Sequence, residues 1–114
     1  MSYSTGILAE ERALKYFQNL GYQLVKKNYR VPGGEIDLIL QKKNLLIFVE
    51  VKMRQNEHFG TPEESITPQK KRHLLKTIHQ YLYHTPKIPH QRWRCDLMVI
   101  TPHTLKHYLD IFAE

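Results

Sequence analysis

The chain carries one cysteine, Cys95, so it can form no internal disulfide. A lone thiol fits a reducing cytoplasm, and without a CxxC pair the zinc-ribbon class is excluded. Long hydrophobic runs are also missing. The longest, Leu45 to Val49, falls far short of the ~20 apolar residues that a membrane-crossing helix needs. The stretch MSYSTGILAEER has no basic patch ahead of an apolar segment, which argues against a signal peptide. No repeat or low-complexity tract is present. Acidic residues are scarce, 11 against 17 lysines and arginines, for a net charge of +6.

What remains is an ordinary globular composition, 41% hydrophobic and 25% charged, in 114 residues. That length suits one domain, 1–114, built around one core. The positive excess leaves two readings open: a solvated basic surface, or a partner with a phosphate backbone. Basic residues cluster at Lys26-Lys27, Arg30, Lys42-Lys43 and Lys70-Lys71-Arg72. Arg30, Lys42, Lys43, Arg54, Lys70, Lys71 and Arg72 are the candidate nucleic-acid contacts. No helix pairs a basic face with an exposed aromatic one, so a membrane partner is not expected.

Ser4 or Thr5 can cap a first helix that runs to about Leu20 and stops at Gly21. Its apolar stripe is Ala13, Leu14, Phe17 and Leu20, and Glu10 shares that stripe. A short strand over Tyr22 to Asn28 and a turn at Val31-Pro32-Gly33-Gly34 come next. Two strong strands follow, Glu35–Gln41 and Leu45–Met53, then a loop with Phe59-Gly60-Thr61-Pro62. Thr67-Pro68 starts a second helix that ends near His84. Arg94 to Ile100 reads as a buried strand, and Leu105 to Phe112 fits either a strand or a short helix. The order helix-strand-strand-strand-helix-strand predicts an α/β fold, a mixed sheet flanked by helices.

Charge interrupts both strong strands: Glu35 and Asp37 in the first, Glu50 and Lys52 in the second. Buried charge costs free energy unless it is compensated. A hairpin centred on Lys43-Asn44 sets Ile39 opposite Phe48, Leu38 opposite Val49 and Asp37 opposite Glu50. Two carboxylates facing each other across a strand pair repel. A divalent cation between them would reverse the sign, because Mg²⁺ is held by one or two carboxylates together with substrate phosphates. With Lys52 on the same face, this suggests metal-assisted phosphodiester hydrolysis. The competing reading is that Lys52 simply neutralises Glu50.

Asp37, a twelve-residue spacer and Glu50-Val51-Lys52 resemble the PD-(D/E)XK signature of the restriction-endonuclease fold, with Glu10 similar to its helix carboxylate. More closely, the chain resembles the small bacterial YraN-type family. The likeness runs through Asn28-Tyr29-Arg30, Gly34-Glu35-Ile36-Asp37-Leu38-Ile39 and Phe48-Val49-Glu50-Val51-Lys52. It continues over Phe59-Gly60, Pro62-Glu63, Lys70, Tyr81-Leu82 and Arg94-Cys95-Asp96. Met53, where a small or hydroxyl residue is usual, and Thr77-Ile78, where a small pair is usual, depart from the pattern.

The resemblance implies a restriction-endonuclease-like domain similar to Holliday-junction resolvases. It implies a Mg²⁺-dependent nuclease (Mn²⁺ as substitute) acting on DNA, branched or damaged DNA included, and working as a homodimer. Asp37, Glu50 and the backbone carbonyl of Val51 would bind the metal, with Glu10 reaching it through water. Lys52 would activate the attacking water. Glu35 would either support the site or stabilise the turn, and Lys70 would either reach the cleft or stay solvated. A non-catalytic nucleic-acid-binding module and a protein-interaction adaptor are the alternatives. Trp93, Tyr81 and Tyr83 could stack on bases but fit core edges better. The seven histidines show no ligand constellation, and His103 and His107 are not expected to form a metal pair.

Overall fold

The computed structural model of the protein describes residues 2–55, 62–85 and 92–113. In these residues α1 (Ser2–Asn19) precedes β1 (Gln23–Val31), β2 (Gly34–Lys42) and β3 (Leu45–Met53). The one-turn α2 (Pro62–Ser65), α3 (Pro68–Tyr83), β4 (Arg92–Ile100) and β5 (Leu105–Tyr108) complete the order. The strands form one sheet in sequence order. All neighbours are antiparallel except β3 and β4, which are parallel. A parallel pair needs a crossover connection, and α3 lies within it. The fold is therefore the expected mixed α/β sheet flanked by helices, with α2 and β5 added to the order.

Both faces of the central strands are covered. Ala9, Ala13 and Phe17 of α1 pack on Leu38, Leu40, Ile47, Val49, Met98 and Ile100. On the other face Leu74, Ile78 and Tyr81 of α3 pack on Ile39, Leu46, Phe48, Cys95, Leu97 and Val99. Strands buried on two sides read as continuous apolar runs, which is why β2, β3 and β4 stand out in the sequence. Burial pushes the Cys95 thiol up, leaving it protonated and inert.

The start of α3 follows its signals. The Thr67 side chain accepts a hydrogen bond from the Lys70 amide at 3.2 Å, and Pro68 occupies the first helical position. The β1–β2 connection sits directly on this helix. A Cβ at Gly34 would collide with the Thr77 hydroxyl, which donates to the His73 carbonyl at 2.8 Å. Gly33, at φ 88°, turns the chain in a conformation that side chains resist. Pro32 and Gly33 suffice for the turn, so β1 continues to Val31 instead of ending at Asn28.

Other boundaries also differ from expectation. The chain is helical from Ser2, so Ser4 and Thr5 lie inside α1 and neither caps it. Leu20 falls beyond the helix end and is 45% exposed, so the buried stripe is Ala9, Ala13 and Phe17, with Leu14 partly buried against the same cluster. The ambiguous tail begins as strand β5, paired with β4 from Leu97↔Tyr108 to Ile100↔Leu105. Phe59, Gly60 and Thr61 lie outside the described residues. Tyr81 and Trp93 are core-edge aromatics against Phe48, and Tyr83 is exposed.

Candidate functional site

The β2–β3 ladder has the expected register, Leu38↔Val49 and Ile39↔Phe48, but it ends there. Asp37 and Glu50 do not continue it as an opposed pair. The Asp37 side chain instead accepts a hydrogen bond from the Val51 amide at 2.8 Å. On the β1 side one pair is missing at the same point, although the register is kept across it. Pairing skips from Lys27↔Leu38 to Tyr29↔Ile36, and the intervening Asn28 has φ 51°. Ile36 and Ile39, three apart, consequently belong to the same core cluster. Strict alternation would put them on opposite faces. The alternation of β2 is interrupted at Asp37, whose carboxyl reaches across to the Val51 amide of β3.

Glu50 is buried, 4% exposed, with the Asp37 carboxyl within hydrogen-bonding reach. Burial first, and then Asp37, push its pKa from 4.5 to about 8. The opposing influence comes from α3, where the Lys70 ammonium stands 3.1 Å from Glu50 Oε2. Even so, Oε2 makes no hydrogen bond of ordinary geometry among the described residues. Lys70 is itself pulled down by burial, but Glu50 outweighs that and its pKa is raised. The neutralising partner of Glu50 is thus Lys70 and not Lys52. Lys52 is half-buried two residues along the same strand and has no ion-pair partner among the described residues.

Glu10 approaches from α1. Its carboxyl is raised by burial and then by Asp37, against a hydrogen bond with Asn28 and the charge of Lys27. Glu35 pairs across the hairpin with Arg30 at 3.1 Å, both largely exposed, and so braces the turn. Among the described residues no three histidine, cysteine or carboxylate side chains stand close enough to hold a metal by themselves. A cleft of about 320 Å³ opens beside Lys70 between α3 and the β1–β2 turn, lined also by Arg30, Gly33, Gly34 and His73.

The basic candidates do not form one patch. Lys42 and Lys43 sit at the β2–β3 turn, roughly 15–20 Å along β3 from Glu50. Lys42 donates to the Leu20 carbonyl at 2.7 Å, closing the end of α1. Arg54, at the other end, donates to the Ser65 hydroxyl at 3.2 Å. Lys70 and Arg30 line the cleft, while Lys71 lines a separate one beside β5 with Tyr108 and Asp110. Arg72 is exposed on α3.

Sequence reasoning missed a second polar centre. Asp96 is fully buried and receives both Nε and Nη2 of Arg94, at 2.8 and 2.9 Å. His107 Nε2 lies 2.7 Å from Asp96 Oδ2, and the Asp110 amide donates to Oδ1 at 2.9 Å. Tyr16 of α1 meets the far ring nitrogen of His107 at 3.0 Å, and Tyr22 meets Arg94 at 3.2 Å. His107 is therefore a structural partner. The signal available was Arg94 and Asp96 on one strand face, but their third member comes from a segment whose conformation was ambiguous.

The sequence profile of the uncharacterised protein family UPF0102 matches residues 9–100. A UPF0102 protein of Sulfurihydrogenibium sp. is 35% identical over 108 residues, covering 95% of this chain and 93% of its own. Another, from Syntrophomonas wolfei, is 39% identical over 87 residues, 76% of each chain. A third, from Psychromonas ingrahamii, is 44% identical over 81 residues, 71% of this chain and 66% of its own. The profile covers β1 to β4 entire and most of α1, including Glu10, Asp37, Glu50 and Lys52, and the chain belongs to the UPF0102 family, the YraN-type family it resembles in sequence.

Proposed function

We propose that the protein is a Mg²⁺-dependent nuclease that hydrolyses phosphodiester bonds in DNA. The observation carrying this reading is the pair of buried carboxyls, Asp37 and Glu50, crowded together where the β2–β3 ladder ends. A folded protein has no structural gain from crowding two buried carboxyls together, and the single ammonium of Lys70 meets only one of them. The donors are hard oxygens, suited to Mg²⁺, which needs only one or two carboxylates and keeps waters and phosphates as its other ligands. A cage of three side chains is not required. Asp37, Glu50 and the Val51 carbonyl would hold the ion, with Glu10 reaching it through water. When bound, the dication would offset the carboxylate repulsion and stabilise charge on the scissile phosphate.

The protein's own groups supply the rest. Asp37 is oriented before substrate arrives, because the Val51 amide fixes it. Lys52 is unpaired among the described residues and half-buried, so its ammonium is available for the attacking water or a phosphate oxygen. Charge fixed in a partly buried site acts more strongly than in water and needs no reorganisation during the reaction. The net charge of +6 favours a polyanionic substrate. Branched or damaged DNA, and action as a dimer, follow from the resemblance to resolvases.

The test is a screen of labelled duplex, single-stranded, flap and four-way DNA with Mg²⁺ or Mn²⁺. Asp37→Asn and Glu50→Gln should each remove cleavage, by a factor of at least about 100. DNA binding should be kept or tightened, since each change lessens repulsion of phosphate. Cleavage that survives in both purified variants would mean another site or a contaminant. Binding without cleavage by the unaltered protein would favour a non-catalytic binding module, the reading suggested by Lys70 standing on Glu50.

A further inference from the structure

Lys70 occupies an unusual position for a lysine near a candidate metal site. Its ammonium touches the most buried carboxylate of the site, yet its side chain remains 37% exposed and lines the neighbouring cleft. It leaves from the first turn of α3, which Thr67 and Pro68 hold in place, so the backbone is fixed while the side chain can swing. The pairing with Glu50 is lopsided: one partner is 5% exposed, and the contact at 3.1 Å is not aligned as a hydrogen bond. In the same cleft Arg30 is already tied to Glu35. Lys70 is the cleft cation whose present partner would acquire a better one.

Resting on the nuclease reading, we propose that Lys70 is a placeholder cation. It pairs with Glu50 while the divalent ion is absent, and is displaced by that ion into the cleft, where it contacts a phosphate of the DNA strand. Glu50 cannot accommodate an ammonium and a dication on one buried oxygen without strong like-charge repulsion, so filling the site frees the lysine. The cleft is bounded by the Gly33-Gly34 turn and α3, which approach so closely that a Cβ at Gly34 would collide with Thr77. A strand phosphate entering there would meet Lys70 beside Arg30 and His73. If Lys70 holds Glu50 about nine-tenths of the time, it is available to DNA about one-tenth of the time without metal, a tenfold reduction in its contribution to binding.

Two measurements test this without reading catalysis. The first follows the side-chain signals of isotopically labelled lysine by NMR, with Lys70 assigned from the Lys70→Arg variant and the Val51 amide as a reporter of the metal site. Mg²⁺ should move both signals together, and Asp37→Asn should abolish both changes. A Val51 shift with Lys70 unmoved would overturn the placeholder role and leave the metal site standing. Neither signal moving would overturn the metal site and this proposal with it.

The second compares duplex DNA affinity of unaltered protein, Lys70→Met and Lys76→Met, in chelator and in Ca²⁺, another oxygen-seeking dication. Lys70→Met should weaken binding about five- to tenfold in Ca²⁺ and less than about twofold in chelator, where Glu50 already holds the lysine. Lys76, exposed on the same helix, measures the general charge effect and should show no such metal dependence. Equal losses for Lys70→Met under both conditions would overturn the proposal.

Discussion

Two carboxylate centres lie in one small sheet, and they are built in opposite ways. Asp96 sits in the β4–β5 half, fully buried, with a bidentate Arg94, His107 and the Asp110 amide on its oxygens. Burial pushes its pKa up, but these partners outweigh it, and the carboxyl is held below its ordinary value. At the β2–β3 end, Glu50 is nearly as buried, but its nearest neighbours are another carboxyl and one lysine. Its pKa goes the other way. The lesson is that burial alone does not mark a functional carboxylate. The Asp96 centre is satisfied within the chain and ties α1 to β4 and β5, whereas Glu50 shares its surroundings with a second carboxyl and a single ammonium.

The largest effect should come from the satisfied centre. Asp96→Ala leaves Arg94 and His107 buried without their partner, and breaking such a network costs about 3–5 kcal/mol. Urea unfolding at neutral pH would measure it. Because the folded pKa of Asp96 is depressed, its contribution is present above the ordinary 3.8 and lost as pH falls through the folded value. The gap between the two proteins should therefore close only in strong acid. A loss below about 1 kcal/mol would show that the network is worth no more than a typical hydrogen bond.

Glu50→Gln should invert that behaviour. The folded pKa is raised, so in metal-free protein this carboxyl's contribution is fully present below 4.5 and is lost as pH rises through about 8. Unfolding in chelator across that window should show the unaltered protein weakening while the variant does not. At about pH 9 the variant should be the more stable, by roughly 1–3 kcal/mol. A variant clearly less stable there would make Glu50 a structural residue like Asp96, and the contrast would collapse.

The smallest effect is the most direct. With a dissociation constant of about 1 mM and roughly 10 mM Mg²⁺, binding to the folded state alone adds about 1.4 kcal/mol. In a domain of this size that is a melting shift of roughly 5 °C. Asp37→Asn keeps an acceptor for the Val51 amide, so in chelator it should be at least as stable as the unaltered protein. It should nevertheless lose most of the Mg²⁺ shift. Melting curves of both proteins, each with chelator and with Mg²⁺, check this, and an unchanged shift in Asp37→Asn would remove Asp37 from the site.

By itself, the sequence determined most elements of the mixed sheet and the register of one hairpin. Continuous apolar runs, the Pro-Gly-Gly turn and the Thr67-Pro68 helix start are local signals, and local chemistry decides elements and short-range register. That is why Leu38↔Val49 and Ile39↔Phe48 could be read directly, and why Asp37, Glu50 and Lys52 stood out as charges in apolar strands. The interrupted alternation at Asp37 was not legible, because it coincides with a missing pair to Asn28 of a neighbouring strand, whose φ is positive. Nor could the sequence choose between Lys52 and Lys70 as the partner of Glu50. Adjacency along a strand favoured Lys52, but α3 crosses the sheet and delivers Lys70 to the carboxylate. The Asp96 centre was hidden for the same reason. Its members come from α1, the α1–β1 connection, β4 and β5, and only packing these together decides which buried charges are satisfied within the chain.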